Sequence, residues 1–190
     1  MSGRGRRVLN WTAEILGQLE FYWETSLRPG LIGLGDDEFY WEPVEGCWSV
    51  RRLSDGTFAP DREWPEPVPP PVTTIGWRLG HIVVEVLEMR VDHHFGGRTM
   101  MLENAAWPGS ADEAMRRLER AYAAWCAGVR ALDAEDFAAP VGAAEPSEWA
   151  EFPFLTLALH VNREVVHHGA EIALMRDLYR SRPGVGRDAL

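Results

Sequence analysis

Glu164 and His168 carry the first chemical signal in this chain. Both lie in His160-Val-Asn-Arg-Glu-Val-Val-His-His-Gly-Ala-Glu171, which reads as one helix. Side chains at i and i+4 stand one turn apart on one face, about 5–6 Å between Cβ atoms. A carboxylate oxygen and an imidazole nitrogen at that spacing can share one divalent ion, and both suit zinc, iron or nickel. A third donor must come from another element. The other His set inside an apolar helical pattern is His81, in Trp77-Arg-Leu-Gly-His81-Ile-Val-Val-Glu85. The three together predict a three-ligand metal site inside a helical bundle. Three protein ligands leave coordination positions open, which separates a catalytic site from a structural one. An ion held in this way lowers the pKa of a bound water or thiol towards neutrality.

The neighbours of these residues have candidate roles. His167, three after Glu164, is an alternative ligand. Glu85, one turn after His81, is the candidate catalytic base or an acceptor for His81; Glu171 is three after His168. His160 either faces the site or fills the core. His93 and His94 close their helix, where cationic side chains favour the dipole, and are expected as capping or surface residues. Arg78 and Arg163 could meet an anionic substrate, whereas Arg176 and Asp177 are expected in salt bridges within the bundle.

Four helical patterns must position these groups. The first spans about Asn10 to Leu27, with Asn10 as N-cap and Arg28-Pro-Gly as its stop. The second spans Thr74 to Phe95 and is stopped by Gly96-Gly97. The third begins at Ser110, before acidic Asp112 and Glu113, and reaches about Leu132. The fourth begins near Pro153 and reaches about Tyr179. Residues 29–73 form a long crossover between the first two. In it, Asp36-Asp-Glu-Phe reads as a short helical turn, and Cys47 to Arg51 can pair near Thr57-Phe58 across Asp55-Gly56. Trp64-Pro-Glu-Pro-Val-Pro-Pro-Pro71 reads as extended polyproline. Trp48 and Trp64, too large and apolar to leave exposed, are expected to pack residues 46–73 onto the bundle near the site. Residues 133–151 read as irregular.

Composition excludes several classes. The 190 residues suit a single domain, 1–190, with residues 1–8 as a flexible tail. A net charge of −10 argues against nucleic acid or an anionic membrane as partner. All 19 basic residues are Arg, so no Schiff-base or P-loop lysine exists. Cys47 and Cys126 form neither a disulfide framework nor a cysteine zinc site. With no apolar signal segment or membrane span, a cytoplasmic protein is expected. Nine Trp imply a well-filled core.

Four sets of residues, in order, carry a family resemblance: Gly46-Cys-Trp48-Ser-Val50, Trp77-Arg-Leu-Gly-His81, Glu164-x-x-x-His168, and Gly169-Ala-Glu-Ile-Ala-Leu-Met-Arg176-Asp-Leu-Tyr. The set resembles the DinB-like metal-binding bundles, particularly actinobacterial members and the mycothiol-dependent maleylpyruvate isomerase branch. The chain departs from the commoner His-x-x-x-His-x-Gly-Gln form, whose glycine spacing would make His167 the ligand and leave Arg163 in the partner position. The resemblance implies an all-α, up-down-up-down four-helix bundle with a structured first crossover. It implies one divalent metal, zinc first and nickel or iron as alternatives, on His81, Glu164 and His168. It also implies a low-molecular-weight thiol such as mycothiol. The expected function is a thiol-dependent S-transferase or isomerase acting on a small electrophile, as monomer or homodimer. A metal-dependent hydrolase and a non-catalytic, metal-stabilised binding bundle are the alternatives.

Overall fold

The computed structural model describes residues 9–183; the tail expected over residues 1–8 lies outside them. Asn10 starts helix α1 by accepting the Ala13 N–H at 3.1 Å, which satisfies one otherwise free donor of the first turn. The helix runs Trp11–Tyr22, then through a π turn, Trp23–Leu27, into Arg28–Leu31. Arg28-Pro-Gly therefore does not end it, contrary to the sequence expectation. The π turn restarts the helix, so Pro29 falls in a first turn, where its missing N–H costs nothing.

The crossover holds α2, Asp36–Phe39, then a hairpin of β1, Val50–Arg52, and β2, Phe58–Pro60, with Val50 opposite Pro60. Its turn uses Gly56 at φ +88° and an Asp55 carboxylate that accepts the Thr57 N–H at 2.9 Å. Helix α3 runs Ile75–Gly80, a π segment His81–Glu88, then Met89–Phe95, with the Thr74 hydroxyl capping Trp77 N–H at 3.2 Å. Helix α4, Ala111–Arg130, is capped by Ser110. The stretch expected to be irregular contains α5, Ala134–Ala138, closed by a reciprocal Asp133/Asp136 capping box. Helix α6, Phe154–Ser181, follows Pro153.

Among the described residues the fold is an all-α bundle with one two-stranded sheet. Helices α1 and α3 each pack against both α4 and α6, so the four long helices enclose a common core. The middle of α3 is nearly surrounded, since Ile82, Val83, Val84, Val86 and Leu87 are all buried. Trp23 stacks on Tyr122 at 4.0 Å between α1 and α4. Arg176 of α6 makes the expected salt bridge within the bundle. It is buried, gripping Glu38 of α2 through Nε at 2.8 Å and Nη2 at 3.0 Å, and donates to the carbonyls of Gly30 and Ile32. One guanidinium thus ties α6, α2 and the end of α1 together.

Trp48 is half-buried, its ring 6.3 Å from Trp77, and its backbone forms an isolated parallel bridge to Thr73. Trp64 contradicts the expectation that it packs: it is 92% exposed, and Val68 is also exposed. Pro65, Pro67, Pro69, Pro70 and Pro71 supply no N–H to tie this stretch down, and it passes over the surface. Among the described residues, no helix is long and apolar enough to cross a membrane.

Candidate metal centre

Two helices bring the centre together. His160, Glu164, His168 and Glu171 recur at spacings of four, four and three, which puts them on one face of α6. His81 opens the π segment of α3, facing that row. Such segments occur frequently where a helix carries a functional residue. Each histidine has a glycine beside it on the packed side. A Cβ at Gly80 would overlap the Trp107 ring, and one at Gly169 would press on the Tyr22 hydroxyl. The two backbones therefore lie directly against aromatic side chains, and the imidazoles point the other way.

Glu164 Oε2 is 3.4 Å from His168 Nε2 and 3.9 Å from His81 Nε2. One donor atom from each of the three lies within 4.8 Å of the others. Metal–ligand bonds of about 2.1 Å in a tetrahedron place donors about 3.4 Å apart, so this donor set fits one divalent ion with small adjustments. Both imidazoles turn Nε2 inwards because Nδ1 is engaged. His81 Nδ1 lies 2.7 Å from Glu85 Oε2, and His168 Nδ1 lies 2.8 Å from Glu171 Oε2. A carboxylate on Nδ1 fixes the tautomer that leaves Nε2 free as a ligand. Arginines hold those carboxylates in turn, Arg62 on Glu85 and Arg78 on Glu171. The Trp77 ring lies nearly parallel to the His81 ring at 5.6 Å, and its Nε1 donates to Asp61 O at 3.0 Å. The crossover thus reaches the site through both Arg62 and Asp61.

Electrostatics suit a ligand set. Burial, with His81 and His167 adding to it, pushes His168 from 6.5 down to about 4, although Glu164 opposes the shift. The ring is neutral near pH 7, so no proton competes for Nε2. Burial acts against the Glu85 carboxylate, but hydrogen bonds from His81 and Arg62 outweigh it and hold the group below its ordinary range. Burial lowers His160 too.

The remaining sequence candidates are placed as follows. His167 can form a second donor group with His168 and Glu171, but it is exposed, and Glu171 Oε2 is already engaged by His168 Nδ1 and Arg78. Glu85 has both oxygens committed to His81 and Arg62. His160 Nδ1 lies 3.4 Å from Glu164 Oε1 and accepts from Arg163 at 2.6 Å. His93 and His94 are not surface residues. His93 sits between the carbonyls of Ala144 and Met100, and His94 Nε2 is 2.9 Å from Glu145, because two loops fold over this helix end. Arg62 and Arg90 gave no sequence signal. A cavity of about 520 Å³ opens beside the centre, lined by His81, Glu85, Glu164 and His160 together with Met100 and Met101.

The sequence pattern of the DinB superfamily matches residues 18–172. The chain belongs to the DinB superfamily. Its members are generally metal-binding, which agrees with the donor geometry above. No curated protein and no solved structure matches significantly. Within the DinB match fall all three donors, the two Nδ1 carboxylates and both arginines behind them.

Proposed function

We propose that this DinB superfamily chain is a divalent-metal-dependent enzyme, with His81, Glu164 and His168 as ligands. We assign it the transfer of a low-molecular-weight thiol to a small electrophile, or a thiol-assisted isomerisation. The observation that carries this reading is the convergence of three donors, of which His81 and Glu164 line an open cavity, with each imidazole oriented by its own carboxylate–arginine pair. A divalent ion in this place, zinc being the best match to a two-imidazole, one-carboxylate set, supplies Lewis acidity and favours the deprotonated form of a bound thiol or water. Glu164 offsets one of its charges. Arg62 helps hold Glu85 below its ordinary range, and the carboxylates of Glu85 and Glu171 on Nδ1 leave Nε2 of each ring free as a ligand. A cosubstrate that arrives as a thiolate suits a site whose nearest carboxylates are already engaged. The buried free thiols of Cys47 and Cys126 accord with a reducing, cytoplasmic setting.

Hydrolysis is the second reading, and His160 supports it. Its ring lines the cavity, burial lowers its pKa, and its Nδ1 lies 3.4 Å from Glu164 Oε1. Both readings are tested with protein loaded with zinc, nickel or iron and supplied with mycothiol and an activated aryl halide, or with an activated ester and no thiol. Thiol consumption that needs metal and is lost in Glu164→Gln supports the transferase. Ester turnover without thiol supports the hydrolase. Failure to retain any divalent ion at neutral pH would sink both.

A further inference from the structure

A second cavity, about 580 Å³, lies next to the first and shares Arg90, Glu145 and His160 with it. Both volumes fall within the roughly 300–1,000 Å³ of small-molecule sites. The second chamber is built differently. Its walls are apolar and aromatic, with Trp149, Phe152 and Leu159 exposed and the Trp149 and Phe152 rings 5.5 Å apart. Exposed apolar residues grouped on a concave surface mark a binding site more than singly scattered ones do.

Its polar end carries two guanidiniums. The lining holds Arg90 and Arg163 with one carboxylate, Glu145, and Arg163 also lies 3.4 Å from Oε1 of Glu164 in the neighbouring cavity. Glu145 is itself occupied, since its Oε1 lies 2.9 Å from His94 Nε2. Arg90 Nε sits 3.3 Å from the same oxygen but is not aligned to donate, and it is a buried nitrogen without a hydrogen-bond partner. An anion at the junction would meet the rest of the Arg90 guanidinium, whose side chain is 21% exposed, and Arg163 would add charge from the rim.

We infer that this chamber takes the ring of an aryl carboxylate, with the carboxylate at Arg90 and Arg163, where the chamber meets the metal-side cavity. Calling that molecule a substrate rests on the function proposed above; its binding does not.

Calorimetry with 2-naphthoate and its neutral analogue 2-naphthamide tests this on metal-free and zinc-loaded protein. Charge-assisted hydrogen bonds predict that the acid binds about tenfold or more tighter than the amide. Arg90→Gln should erase most of that preference and leave amide binding within about twofold. Arg163 is exposed and cannot upset the core, so Arg163→Gln must also weaken the acid selectively. Trp149→Ala should weaken both probes. Equal binding of acid and amide, or indifference to Trp149→Ala, would overturn the inference. Protein that binds naphthoate through Arg90 but holds no zinc would leave this pocket standing and remove the metal-enzyme reading. His168→Ala should abolish zinc binding without altering naphthoate affinity; a loss of both would mean that naphthoate had been reading the metal centre, and would count against a separate pocket.

Discussion

Glu171→Gln is the most informative single change at the centre. The wild-type carboxylate uses one oxygen, Oε2, for both His168 Nδ1 at 2.8 Å and Arg78. Glutamine keeps the length of the side chain and one acceptor oxygen but loses the charge. It cannot hold the imidazole and the guanidinium as firmly. Loss of such an outer partner lowers metal affinity about 10–100-fold, or about 1.4–2.7 kcal/mol. Stability changes through Arg78, whose side chain is only 15% exposed. Breaking a fully buried pair costs roughly 3–5 kcal/mol, but water reaches Glu171, so about 1–2 kcal/mol is expected. For a chain of this size that is a fall in Tm of about 2–8 °C. The assay has two arms: competition for zinc against a chromophoric chelator, and thermal melts of metal-free protein. Arg78→Met combined with Glu171→Gln should recover stability relative to Glu171→Gln, because the unpaired buried charge is gone, while affinity stays low. Zinc affinity of Glu171→Gln within about threefold of wild type would refute the argument that this carboxylate orients His168.

Other changes probe other parts. Glu164→Gln removes a donor charge itself, so zinc affinity should fall by more than in Glu171→Gln, while the metal-free Tm stays near wild type; unfolding at room temperature with metal supplied would mark the site as structural. Arg176→Met leaves Glu38 charged and buried, which should cost about 3–5 kcal/mol in urea melts, and adding Glu38→Leu should return most of it. The Asp92 carboxylate accepts from Met100 and Thr99 N–H groups and lies below its ordinary range, with the Met100 bond the largest cause. Its contribution is therefore complete above the unfolded value and is lost as pH falls through the lowered one. The stability gap between wild type and Asp92→Asn should close in acid, and faster hydrogen exchange at Thr99 and Met100 in the variant should accompany it at neutral pH.

What the sequence disclosed follows the range of the interactions involved. Glu164 with His168, His81 with Glu85 and His168 with Glu171 are all within one helical turn, so spacing alone revealed them. The capping residues Asn10 and Ser110 were legible for the same reason, and Asp133 with Asp136 offered a box that the reading of residues 133–151 as irregular passed over. Arg62 on Glu85 and Arg176 on Glu38 join residues 23 and 138 apart. No local pattern encodes such pairs. The π turns were hidden because a run such as Ile82-Val-Val has the same apolar pattern in either helix; only the surrounding packing selects the wider form. Trp64 shows the opposite error. Its size argued for burial, but size states what burial would stabilise and not whether the chain's path brings a partner.

The glycines beside His81 and His168 set up a division of labour. Gly80 against Trp107 and Gly169 against Tyr22 brace from behind the backbones that carry the candidate donors. The far walls of both chambers come instead from loop side chains such as Met100, Met101, Trp149 and Phe152. Anchor and selector are therefore physically separate parts of one chain. Loop residues can be exchanged, shortened or enlarged without disturbing the braced histidines, whereas one added methyl at either glycine would displace them. A scaffold partitioned in this way can change the lining of its cavities by drift in its loops while the donor geometry stays constant.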